Sequence, residues 1–193
     1  SNQPIRSLSF SKEEKVIVQS LHLLTDKPMI YIANVGENDL ANVQENQEYL
    51  HLKKQAESEN AKIIPVCAKV EEDLSSLTAE EKQLFMEELQ IKESGLDQLI
   101  KATYELLGLE TFYTSGKDEC RAWTFKKGMN APQCAGIIHS DFERGFIKAE
   151  VYHFQDLLQY QSEQAVKENG KCRLEGKEYV MKDGDIVYFK FNV

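Results

Sequence analysis

Apolar positions recur along this chain at two spacings, and the spacing separates helices from strands. In "SKEEKVIVQSLHLL", residues 11–24, Val16, Leu21, Leu23 and Leu24 lie at roughly helical intervals. Ser11 with Glu14 three residues on has the form of a capping box, which predicts where that helix begins. "TDKP" predicts its end, because the residue before a proline avoids the helical region. Met29 to Ala33 is then an unbroken apolar run with aromatic and β-branched members, the pattern of a strand buried on both faces. "NQEYLHLKKQAESENA" returns to helical spacing, with Tyr49, Leu52 and Ala56 on one side and charges on the other. "KIIPVCAKVE" is a second buried apolar run. Further helices are expected over about residues 78–90 and 94–108, the latter stopped by Gly108. Strand, helix, strand, helix is the rhythm of an α/β unit with parallel strands.

Beyond residue 108 the rhythm changes. "TFYTSGKDECRAWTFKKGMNAP" predicts two short strands joined at Ser115-Gly116, with another turn at Lys127-Gly128. "DFERGFIKAEVYHFQDLLQY" mixes strand-like alternation with a short helix, and Glu175-Gly176 and Asp183-Gly184 mark turns between the last strands. This half reads as a small mixed α+β domain on a curled sheet.

Composition sharpens that division. The chain has 193 residues, 41% of them hydrophobic, which is globular rather than disordered. Its net charge of −9 is uneven: residues 1–108 hold 11 Lys/Arg against 19 Asp/Glu, whereas residues 109–193 hold 12 against 13. The first part should therefore repel nucleic acid, while the second can present a local basic face. No apolar run approaches the roughly 20 residues of a membrane span, and "SNQPIRSLSF" lacks the layout of a secretory signal, so no membrane partner is expected. Ser1-Asn2 reads as a remnant of an expression vector, which implies an excised fragment. Cys67, Cys120, Cys134 and Cys172 include no C-x-x-C pair, and free thiols in a reducing cytoplasm are expected.

The chemistry is concentrated where "PMIYIANVGE" turns polar. In an open parallel sheet, ligands sit at the carboxyl ends of strands. Asn34 ends the first apolar run and Cys67-Ala68-Lys69 ends the second, so the two tips can wall one base pocket. An Asn amide carries both donor and acceptor and suits a purine edge. Glu37 is a carboxylate, which accepts from guanine N1–H and its amino group but finds no donor at adenine N1. The alternative is that Asn34 satisfies loop backbone and Glu37 is simply solvated.

"KPMIYIANVGE", "IIPVCAKVE", "GLDQLIKATYELLGL", "RAWTFKKGMNAPQCAGIIHSDFERGFIKAEV" and "EGKEYVMKDGDIVYFKFNV" together resemble the YchF/Obg-like ATPase family over nearly the whole chain. The resemblance implies its C-terminal half: residues 1–27 as the end of a helical insert, 28–107 as the last part of a P-loop nucleotide-binding domain, and 108–193 as a TGS domain of β-grasp fold. In that family N-x-x-E replaces the guanine-reading N-K-x-D, and ATP is preferred to GTP. Carried over, Asn34 contacts the adenine edge, Val35 places backbone beside the base, and Glu37 holds the specificity position. Cys67-Ala68-Lys69 resembles the S-A-K loop of related GTPases, with Cys in place of Ser.

The chain contains no G-x-x-x-x-G-K-[ST]; Gly116-Lys117 and Gly170-Lys171 lack the upstream Gly and the following Ser/Thr. ATP and Mg²⁺ are thus expected of the full-length protein, with no tightly bound cofactor, no metal site and no catalytic residue in this chain, which alone should not hydrolyse ATP. The alternative function is an RNA or ribosome adaptor without nucleotide chemistry. The TGS resemblance implies a face toward RNA or the ribosome. Arg121, Lys126, Lys127, Arg144 and Lys148, interleaved with Trp123, Phe125, Phe142 and Phe146, could combine phosphate contacts with stacking if Trp123 or Phe142 is exposed. The alternative is core aromatics beside ordinary solvated charges. In "HSDFE", His139, Asp141 and Glu143 would share one strand face as an apparent metal cluster, or His139 would satisfy backbone near a turn.

Overall fold

The computed structural model describes residues 3–116 and 119–192; the reading of Ser1-Asn2 falls outside them. The chain divides into two compact bodies, Ser1–Thr103 and Tyr104–Val193.

In the first body, α1 (Lys12–Ser20) opens with the Ser11–Glu14 capping box, but none of its residues is fully buried, and Val16 and Ile17 are both exposed. β1 (Ile30–Asn34) and β2 (Lys62–Val66) form a parallel pair in register from Ile30↔Lys62 to Asn34↔Val66. Between them α2 (Gln47–Ser58) starts at Asn46, whose side chain accepts the Tyr49 N–H. Ala33 is buried against Val43 and Tyr49, while Ile32, on the other side of the pleat, is 52% exposed. The expectation of a strand covered on both faces is thus corrected: among the described residues β1 has one sheet neighbour and is covered on one side.

The run "KIIPVCAKVE" is not one strand. It breaks at Cys67, and α3 (Ala68–Ser75) carries its apolar character onward through Val70 and Leu74, a helical i, i+4 pair buried with Cys67. Phe85 and Met86 of α4 (Ala79–Glu88), which is capped by Thr78 and Glu81, pack on that cluster. α5 (Gly95–Leu107) follows and ends at Gly108, whose φ of +61° is the left-handed conformation glycine tolerates.

The second body is a five-stranded sheet in the order β4-β3-β7-β5-β6. β3 (Leu109–Ser115) and β4 (Cys120–Lys126) form an antiparallel hairpin. β5 (Phe146–His153) runs antiparallel to both β6 (Arg173–Glu175) and β7 (Asp185–Phe191). The first and last strands, β3 and β7, lie side by side and parallel. α6 (Ala131–Ile138), with an Asn130–Gln133 capping box, covers one face; its Cys134 and Ala135 are buried with Phe112, Phe125, Phe146 and Phe189. α7 (Ser140–Arg144) follows α6 directly. Leu157 of α8 (Phe154–Tyr160) and Val166 of α9 (Glu163–Glu168) pack with Tyr152 and Ile186 in a separate cluster. The segment before β7 is an irregular strap: Tyr179 O accepts the Ala131 N–H at 2.8 Å, and Met181 N–H donates to Met129 O at 3.0 Å.

Asp185, at the start of β7, is fully buried. Its Oδ2 accepts the Tyr179 hydroxyl at 2.8 Å and the Lys182 N–H at 3.0 Å, a requirement of any carboxylate taken out of water. Burial, reinforced by the bond to Asp185, pushes the Tyr179 phenol up to about 12.

Candidate functional site

The parallel register of β1 and β2 sets Asn34 opposite Val66, so both strands end at the same level. Val35 N–H donates to Val66 O at 2.8 Å and adds one more rung. That donor therefore faces β2 and is not free for a ligand. At the last pair of the ladder, Asn34 Oδ1 accepts the Ala68 N–H at 3.2 Å. α3 has no side-chain cap of its own, and Asn34 supplies an acceptor from the neighbouring strand tip. Asn34 itself is exposed, and its Nδ2 donors have no protein partner among the described residues.

Glu37 and Lys69 close the same edge. Lys69 Nζ lies 2.9 Å from Glu37 Oε2, with side-chain exposures of 71% and 37%. The bond from Glu37 raises the Lys69 pKa, so the ammonium is held charged. Asn34, Glu37, Ala68 and Lys69 thus meet at one solvent-facing edge, whereas Cys67 turns inward and packs with Val70 and Leu74. A cleft of about 320 Å³ opens beside Asn34 and Val35 under α2, bordered by Asp39, Asn46 and Tyr49; Glu37, Ala68 and Lys69 do not line it.

One positioning residue carries no motif. Glu71, on α3, accepts the Gly95 N–H at 2.7 Å and the Leu96 N–H at 3.3 Å. It thereby caps α5 and ties it to α3, whose first residues, Ala68 and Lys69, stand at the polar edge.

The basic and aromatic residues of the second body do not form one face. Phe125 and Phe146 are buried in the core. Trp123 is half-buried, its Nε1 donating to Thr114 Oγ1 at 2.9 Å, with the Arg121 guanidinium 4.1 Å from its ring centroid. Phe142 stacks on Phe191 at 3.9 Å. The expected stacking platform is therefore corrected: neither Trp123 nor Phe142 offers an open ring. Arg121 and Lys126 sit on opposite sides of the β4 pleat. Lys127 lies in the turn beyond, 3.3 Å from Glu110, and Arg144 pairs with Asp141. Lys148 is on β5, with β3 and β7 between it and β4. Lys126, Lys127 and the exposed edge of Arg121 remain accessible.

The apparent metal cluster also dissolves. "HSDFE" is not a strand but the start of α7, and His139 Nδ1 accepts the Asp141 N–H as that helix's cap. Among the described residues no group of three His, Cys, Asp or Glu side chains is placed to hold a metal ion.

A parallel strand pair with paired polar tips, followed by a five-stranded mixed sheet, is a mixed α/β architecture similar to a structure solved from Schizosaccharomyces pombe, described as a YchF GTPase. The two superpose with a TM-score of 0.85 at 42% identity, over 97% of this chain and 50% of that one. Residues 109–192 match the family model YchF-GTPase_C, described as "Protein of unknown function (DUF933)". The whole chain is 56% identical to the ribosome-binding ATPase YchF of Bacillus subtilis (strain 168), covering 53% of it. It is 48% identical over 190 residues to that of Escherichia coli O157:H7, covering 51% of that protein. The chain belongs to the YchF family, and it spans about half the length of the curated relatives it matches.

Proposed function

We propose that this chain supplies the base-reading edge of an ATP site and a TGS-type arm toward the ribosome in a full-length, ATP-hydrolysing P-loop protein. The observation that carries the reading is the bond from Ala68 N–H to Asn34 Oδ1 at 3.2 Å, which ties two adjacent strand tips into one polar edge. Asn34 offers its remaining amide donors there, the class of group that a purine ring edge accepts. Phosphate grip and Mg²⁺ belong to a loop of the kind G-x-x-x-x-G-K-[ST], which these 193 residues do not contain, so hydrolysis is assigned to the full-length protein. The names of the relatives, ribosome-binding ATPase in bacteria and GTPase in the yeast structure, support a purine nucleotide and a ribosomal partner. The sheet order, with first and last strands parallel at its middle, supports a β-grasp TGS assignment for the second body.

The test is nucleotide affinity in the full-length protein. Asn34→Ala is expected to weaken ATP binding, and Glu37→Asp to shift preference toward GTP. An unchanged ATP/GTP ratio in both variants overturns the base-edge assignment.

A further inference from the structure

We infer that Lys69 is a specificity-determining residue that acts through Glu37, holding its carboxylate in an ion pair so that guanine gains little from it. This inference rests on the nucleotide reading above and says how that site would choose its purine.

A carboxylate at the end of a base slot is not neutral toward purines. Guanine presents two donors on its Watson–Crick edge, N1–H and the exocyclic amine, and an unencumbered carboxylate accepts both. Charge-assisted bonds of this kind are roughly twice as strong as neutral ones. Adenine presents one donor and an acceptor on that edge and gains nothing comparable. A free Glu37 would therefore favour guanine.

Glu37 is not free. Its Oε2 is 2.9 Å from Lys69 Nζ, and the two residues come from different strand tips, 32 positions apart in sequence. Three features hold the pair in place. Glu37 opens a 3-10 turn, Glu37–Asp39, which limits where its side chain can reach. Lys69 lies in the first turn of α3, fixed by the Ala68 N–H bond to Asn34 and by Glu71 capping α5. No other acidic partner for Lys69 stands within ion-pair distance among the described residues. The pair occupies one carboxylate oxygen and offsets its charge, so a guanine arriving at the edge must compete with the ammonium. It also leaves Lys69 with two further N–H donors, and because both purines carry acceptors these would not separate the two.

Both partners are partly in water, so the pair is modest in absolute strength. Selectivity asks for little: a tenfold change in preference is about 1.4 kcal/mol.

The experiment is a double-mutant cycle on nucleotide affinity in the full-length protein, with Lys69→Met, Glu37→Gln and the double variant titrated with ATP and with GTP. Lys69→Met should tighten GTP at least threefold relative to ATP, because it frees the carboxylate. In the Glu37→Gln background the same change should leave the GTP/ATP ratio within twofold, because no carboxylate remains to free. Equal weakening of both nucleotides by Lys69→Met, or a ratio change that persists in the Glu37→Gln background, overturns the inference and makes Lys69 a direct ligand contact. If the parent protein binds neither nucleotide, the base-edge reading itself fails, an outcome separate from the cycle.

Discussion

Glu71 and Gly95 are joined by a 2.7 Å hydrogen bond, and the glycine also lies so close to β2 that no side chain fits there. A Cβ on Gly95 would stand 2.9 Å from Val66 Cγ2 and 3.0 Å from Glu71 Oε1. The start of α5 is therefore packed directly on the strand tip and the helix that present Asn34's partner.

Gly95→Ala is expected to destabilise the first body by about 1–3 kcal/mol, the usual cost of overpacking. Glu71→Ala should cost about 1 kcal/mol through loss of the cap. The midpoint of urea unfolding, read by circular dichroism, measures both. A Gly95→Ala midpoint equal to that of the parent would show that the helix can move away from Val66 freely.

Alkali should find the second body through Tyr179. Burial and Asp185 move its phenol from 10.0 up to about 12, so the native state resists ionisation more than the unfolded chain does. Its contribution to stability is complete below about pH 10 and is lost as pH rises through about 12. Cys134, raised from 9.0 to about 12 by burial and by Asp185, adds a window that opens near pH 9. Tyr179→Phe should lose about 1–3 kcal/mol at neutral pH, because buried Asp185 loses a donor. Between pH 10 and 12 its stability should fall less steeply than the parent's, the remaining slope belonging to the other groups whose pKa burial or pairing raises, Cys134, Tyr152, Cys172, Tyr49 and Lys167 among them. Parallel curves for the two proteins, from unfolding free energies at stepped pH, would contradict this.

On the RNA-facing reading, Lys126 and Lys127 are the accessible cations at the end of the edge strand β4. Reversing both to Glu should weaken ribosome association severalfold and flatten its dependence on salt, since fewer counterions are released. Cosedimentation at two salt concentrations measures this. Retained binding with the same salt slope would move the contact to another face.

These residues also show what a one-dimensional reading can hold. The strand tips are legible because a buried run has to end where polar groups begin, and Asn34 marks that point. α3 is not, because Val66, Cys67 and Val70 keep the run apolar while the backbone changes from pleat to helix beneath them. The alternation of Arg121, Trp123 and Phe125 with other residues has the pattern of a stacking surface. It is the ordinary in-and-out alternation of a strand packed on α6. Glu71 is hidden for a different reason: its partner lies 24 residues away and is a backbone amide, which no sequence pattern records.

The pairing of β3 with β7 also governs how this molecule is made. Residues 109–115 can fold back on β4 at once, but their other edge waits for residues 185–191. Closing a separation of that length before any contact is gained is entropically slow. During synthesis the hairpin must therefore remain half-paired until the final strand has left the ribosome, and deletion of residues 185–192 should leave an aggregating polypeptide instead of a shortened domain.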